Sequence, residues 1–150
     1  MSSIDLTGLE LPDVFPPIGA YRSTKIHNGI LYTAGHVPLT ADGTLITGRL
    51  GADLTIEQGA EAARFAALNL LASVQAALGS LERVDQFIRI SGFINATPEF
   101  TDHPKVVDGA SDVLVQVFGD RGTHARLAVG AGSLPAGIVV EIDATIAMRE

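Results

Sequence analysis

The chain has 150 residues, 47% of them hydrophobic and 18% charged, with 10 basic against 17 acidic side chains and a net charge of −7. One domain of this length buries roughly 70% of its unfolded surface, and the apolar excess points to burial against further copies of the chain. The acidic balance argues against a nucleic-acid partner, whose phosphates need Lys and Arg; the lack of cysteine excludes disulfides, thiolate catalysis and thiolate-bound metals and fits a reducing, cytoplasmic setting.

Residues 1–17 contain Pro12, Pro16 and Pro17 and read as an irregular arm, with a single domain expected over 18–150. The first residues lack the basic and apolar regions of a secretory signal. The apolar run Phe65–Leu78 is interrupted by Asn69, Ser73 and Gln75 and is too short to span a bilayer, so no membrane association is expected. Tyr21–Ile26 and Ile30–Ala34 flank Asn28-Gly29, which signals a hairpin. Leu45–Thr47 reads as a further short strand. Thr55-Ile-Glu-Gln58 has the spacing of a capping box; after it Ala63, Ala67, Leu70, Leu71, Val74 and Leu78 recur at helical spacing, and Gly79 supplies the stop. Val84–Asn95 alternates, with Val84, Gln86, Ile88, Ile90 and Ile94 on one face and Phe87, Arg89, Ser91 and Phe93 on the other. Pro104 opens a second helix running to about Phe118, stopped at Gly119. Two strands close the chain.

The order strand, strand, helix, strand, helix, strand, strand predicts an α+β sandwich: a mostly antiparallel sheet with both helices on one face. The other face is expected to carry Phe87, Phe93, Leu127 or its neighbours, and Val139, and to pack against other subunits.

The last two strands hold the informative charges. Arg126, Glu141 and Asp143 interrupt apolar runs, and a charge there is costly unless it is paired or faces a wet cleft. Val140, Ile142, Ala144 and Ile146 share one face of the last strand, opposite Glu141, Asp143 and Thr145; in the strand before it His124, Arg126 and Ala128 share a face. The base and the acids are therefore expected together on the helix-free face. A simple hairpin centred near Ser133 and Leu134 would set Arg126 opposite Glu141. Two readings stay open: a cross-strand salt bridge fixing register, worth about 0.2–1 kcal/mol, or an arginine fork for a ligand carboxylate beside a carboxyl that handles a proton. His27, His36, His103 and His124 lack metal-ligand spacing and read as turn or surface residues; His124, on the face of Arg126, is the one candidate cleft histidine. No metal site is expected. Gly130-Ala-Gly132-Ser-Leu-Pro135 is a turn rather than a dinucleotide fingerprint, and Glu61–Arg64 a surface pair on the first helix.

Four segments in this order, Ile18-Gly-Ala-Tyr21, Tyr32-Thr-Ala-Gly-His-Val-Pro38, Gly109-Ala-Ser-Asp112 with Val117-Phe118-Gly119, and Ala125-Arg126 followed by Leu134-Pro135 and Val140-Glu141-Ile142, carry a resemblance. From about Leu11 onward the chain resembles the reactive intermediate deaminase family (RidA or YjgF, once labelled endoribonuclease L-PSP), in a bacterial branch distinct from its best-studied members. The resemblance implies a chorismate-mutase-like sandwich that trimerises through its helix-free face, with clefts between subunits. In that fold another strand separates the last two, which removes the hairpin. It implies hydrolysis of 2-imino acids, released by pyridoxal-phosphate enzymes, to 2-keto acids and ammonia, a form of metabolite damage control that needs no cofactor. Arg126 matches the arginine that grips the substrate carboxylate and Glu141 the glutamate that positions or activates water. Tyr21 and Gly35 match cleft residues, with Ala34, Leu127 and His124 beside them. Leu127 stands where many members have serine, Ala34 where a cleft serine is common, and His36 for a frequent glutamine, so the cleft is more apolar than usual. These replacements leave an alternative, a non-catalytic trimer that binds small carboxylic acids as a sensor or regulator. Endoribonuclease activity suits so acidic a chain poorly.

Overall fold

A computed structural model describes residues 4–150. Residues 4–23 hold no helix or strand. After them come β1 (Thr24–His27), β2 (Ile30–Thr33), α1 (Ile56–Leu78), β3 (Val84–Asn95), α2 (His103–Phe118), β4 (Ala125–Ala131) and β5 (Val140–Met148), with short 3-10 turns before β3, β4 and β5. Leu45–Thr47 makes only isolated bridges, to Leu39 and Ile138.

Local chemistry explains the elements. The β1–β2 turn needs positive φ at both central residues, and Asn28 (51°) and Gly29 (75°) supply it. Helix α1 opens on a complete capping box: Gln58 N–H donates to the Thr55 hydroxyl at 3.1 Å, and Thr55 N–H donates to Gln58 Oε1 at 2.9 Å. It closes at Gly79 in the left-handed region (φ 82°). Thr55→Ala removes the hydroxyl and leaves an amide unserved. The expected cost is about 1 kcal/mol, read as a Tm lowered by roughly 2–4 °C in a chain of this size.

The five strands form one sheet in the order β1-β2-β5-β3-β4. β3 and β4 are parallel, joined through α2, and every other pairing is antiparallel. β5, late in sequence, therefore lies between β2 and β3. Both helices pack on one face, over Leu31, Ile90, Ile94, Val140, Ile142 and Ile146. The fold is the expected α+β sandwich, and β3 does separate the last two strands.

Glycines set how closely α2 sits. A Cβ at Gly92 of β3 would stand 2.5 Å from a Val107 methyl, and one at Gly109 would stand 1.9 Å from the Ala60 carbonyl oxygen of α1.

Two expectations about the helix-free face fail. Phe87 is buried against Phe118, with ring centroids 5.2 Å apart, while Ile88 is 40% exposed. Register shifts between Val84 and Gln86 and between Phe87 and Arg89 break the alternation read from the sequence. Val139 is also buried, its N–H bonded to the carbonyl of Ile46. What that face does carry follows from the register: Leu127 beside Ser91 and Asp143, then Val129 beside Phe93 and Glu141. Leu127 is 38% exposed and Tyr32, further along the same face, 46%.

Candidate active site

Glu141 lies on the helix-free face, at the point where β2 leaves its regular course. Tyr32 pairs with Thr145, and His36 next bridges Ile142. Four steps along one strand thus match three along the other, and the extra residue makes a bulge at Thr33–Gly35. The bulge is pinned at both ends. Thr33 Oγ1 accepts from Ala144 N–H at 2.9 Å; His36 N–H donates to the Ile142 carbonyl at 2.7 Å, and the His36 carbonyl accepts from Ile142 N–H at 3.1 Å. Gly35 is thereby laid across the Glu141 side chain, and a Cβ there would stand 2.8 Å from the carboxyl carbon and Oε1. Only glycine lets backbone and carboxyl approach so closely.

The bulge also turns His36 inward, correcting the surface assignment. His36 is buried, with Nδ1 2.8 Å from the Ala34 carbonyl and Nε2 2.8 Å from Ser73 Oγ of α1. A carbonyl only accepts, so Nδ1 carries the proton and Nε2 accepts from the serine. Burial holds the imidazole's pKa below 6.5, and the neutral ring locks the bulge to the helix. Asn69 adds a second tie, its amide donating to the carbonyls of Val37 (3.2 Å) and Leu39 (3.0 Å). Neither Asn69 nor Ser73 was singled out from the sequence as part of the site. The signal available was two polar residues, Asn69 and Ser73, four apart in an otherwise apolar stretch of α1.

A cavity of about 150 Å³ opens here, lined by Glu141, Ala34, Gly35, His36, Tyr21, Ser23, Pro135 and Ile18, with Phe15–Pro17 of the arm beside them. Tyr21 Oη accepts from Ile18 N–H at 3.4 Å, which closes the turn that follows the arm. The Glu141 pKa is raised above its ordinary 4.5, first by burial and then by the charge of Asp143 on the same face.

Arg126 is not in this group. Its β4 position pairs with buried Ile90, and its side chain points to α2, where it meets Asp108, Ser111 and the Pro104 carbonyl. His124 turns the same way, with Nε2 2.9 Å from Ser111 Oγ. The two residues share a face as read from the sequence, but it is the helix side, and Leu127, next along the strand, takes the open one. Within the chain Arg126 and Glu141 thus lie on opposite faces of the sheet, with β3 between their strands.

The YjgF/chorismate-mutase-like family model, which carries an endoribonuclease label, matches residues 1–142. Protein TCP17 of Trypanosoma cruzi is 39% identical over 149 residues, covering 99% of this chain and 93% of that one. The chain belongs to the YjgF family. Among solved structures, Atu1372 of Agrobacterium tumefaciens superposes with a TM-score of 0.86 at 37% identity, covering 90% of this chain and 87% of that one. E. coli TdcF, solved with bound serine, shares the YjgF fold at a TM-score of 0.64 and 18% identity, each chain covered in full. Among the described residues of this YjgF chain, no helix is long and apolar enough to cross a membrane, and no cluster of three or more His, Cys, Asp or Glu is placed to hold a metal.

Proposed function

We propose that this chain hydrolyses reactive 2-imino acids to 2-keto acids and ammonia, in a cleft completed by neighbouring protomers of a homotrimer, as cytoplasmic damage control. The observation that carries the reading is Glu141: a half-buried carboxyl with a raised pKa, under a glycine backbone and beside Tyr21. A carboxyl that holds its proton more tightly than usual, at the floor of a cavity, suits proton exchange with a bound substrate. The ionised carboxylate takes a proton from water as its oxygen attacks the iminium carbon, giving a carbinolamine. Glu141 returns that proton to the nitrogen, which leaves as ammonia, and loss of the hydroxyl proton forms the carbonyl. Overall, iminium and water become ketone and ammonium. Arg126 grips the substrate carboxylate with a charge-assisted bond worth about 1.5–3 kcal/mol. Because Arg126 and Glu141 of one protomer face opposite ways, the two would come from adjacent protomers, brought together by the half-exposed face of Leu127 and Tyr32. TdcF with bound serine is a precedent for a small amino acid held on this fold.

Semicarbazide traps the imine released by an L-amino-acid oxidase. Adding the protein is expected to cut the trapped product severalfold, and Arg126→Ala to abolish the effect. Equal traces for wild type and variant would sink the reading. The apolar side chains of Leu127 and Ala34, which thin out the polar groups of the cleft, favour a second reading, carboxylate binding without turnover. Thermal stabilisation by 2-keto acids, with no imine loss for any of several amino acids, would select it.

A further inference from the structure

The arginine fork is held from behind by α2, and this inference rests on the reading of Arg126 as carboxylate anchor. A guanidinium has five N–H donors in one plane. Arg126 Nη1 donates to Asp108 Oδ1 at 2.8 Å and to Ser111 Oγ at 3.1 Å, and Nη2 reaches the Pro104 carbonyl at 3.3 Å. The donors left over are Nε–H and the second Nη2–H. They lie side by side on one edge, at the spacing of a carboxylate's two oxygens.

Ser111 is itself oriented. His124 Nδ1 is 2.6 Å from the Gly122 carbonyl, so that nitrogen bears the proton, and Nε2 accepts from the Ser111 hydroxyl. The serine oxygen is then left to accept from Arg126. Behind the network, Gly109 stands against the Ala60 carbonyl and fixes the turn of α2 that carries both Asp108 and Ser111.

We propose that Asp108 and Ser111 are positioning residues that present the Nε/Nη2 edge of Arg126 as a preformed receptor for the carboxylate of a 2-imino or 2-keto acid. Asp108 has two opposed effects: it orients the fork, and its charge repels an incoming anion. Its side chain is 55% exposed, so water screens the repulsion. The arginine, 23% exposed, would otherwise lose its rotamer freedom only when ligand arrives. Orientation outweighs repulsion.

Calorimetric titration of the full-length chain with 2-oxobutyrate tests this, alongside steady-state imine hydrolysis. Asp108→Ala is expected to weaken binding about fivefold to tenfold, the scale of one immobilised side chain, and to raise KM with kcat kept. Ser111→Ala is expected to weaken it about twofold to threefold, with Asp108→Asn, which keeps the acceptor without the charge, staying within about twofold of wild type. Unchanged or tighter binding by Asp108→Ala overturns the proposal, leaving Asp108 a surface pair or a competitor. Arg126→Ala distinguishes the two levels. If it binds as well as wild type, or wild type does not bind, the anchoring role falls and this inference with it. If binding runs through Arg126 but no imine is turned over, only the reaction falls, and the Asp108 series still decides the positioning role.

Discussion

Glu141→Gln is expected to lose imine hydrolysis and, in the same protein, to gain thermal stability at neutral pH. The loss is about 10²–10⁴-fold in kcat/KM, the usual contribution of a placed acid–base group. The gain follows from the sign of the pKa shift. The folded carboxyl holds its proton more tightly than the unfolded one, whose ordinary value is 4.5, because burial and then Asp143 disfavour the anion. Below that value both states are protonated and the shift costs nothing. As pH rises through the folded pKa the native state must bear a half-buried anion, and stability is lost. Glutamine has nearly the same shape and no charge to bear. Its Tm should therefore exceed wild type at pH 7–8 and converge with it near pH 4, in paired thermal melts. A lower Tm at pH 7, or undiminished turnover, would remove Glu141 from its acid–base role. A residue that costs stability where it serves chemistry is a usual mark of a working site.

Gly109→Ala should be among the most damaging of the small substitutions. Helix propensity alone would favour alanine in α2 by about 1 kcal/mol. The new Cβ, however, would lie 1.9 Å from the Ala60 carbonyl oxygen and 2.7 Å from its carbon, backbone atoms of α1 that cannot turn aside. The helices must separate, and overpacking of this kind costs about 1–3 kcal/mol, occasionally more. We expect a Tm lower by roughly 2–12 °C, at about 2–4 °C per kcal/mol for a chain of this length. Any Tm at or above wild type would show that α2 is not held this tightly.

The elements were legible where a local signal names the geometry. Thr55 and Gln58 mark the start of α1, Gly79 its end, and Asn28-Gly29 the hairpin, each through its own backbone preference. Facing was lost wherever one residue is inserted. The shifts around Phe87 exchange it with Ile88 between core and surface, and the bulge at Thr33–Gly35 turns His36 from outside to inside. A bulge leaves no mark in composition, yet it inverts every assignment beyond it. Arg126 was misplaced for another reason. An arginine in an apolar strand is expected on the open face with the acids, but β4 is an edge strand whose helix side meets Asp108 and Ser111 rather than apolar packing. That arrangement depends on contacts between segments distant in sequence, which periodicity cannot show.

The place of β5 has a further consequence, for the birth of the protein. β5 is translated after the two strands it separates, so neither β2 nor β3 can complete its pairing until the last strand of the sheet has been made. Folding is then governed by long-range closure rather than by successive hairpins, and such topologies fold slowly. Glu141 enters on that closing strand, directly beneath Gly35. No half-made chain can display the carboxyl in its working environment, so assembly of the sheet and acquisition of the site are a single event.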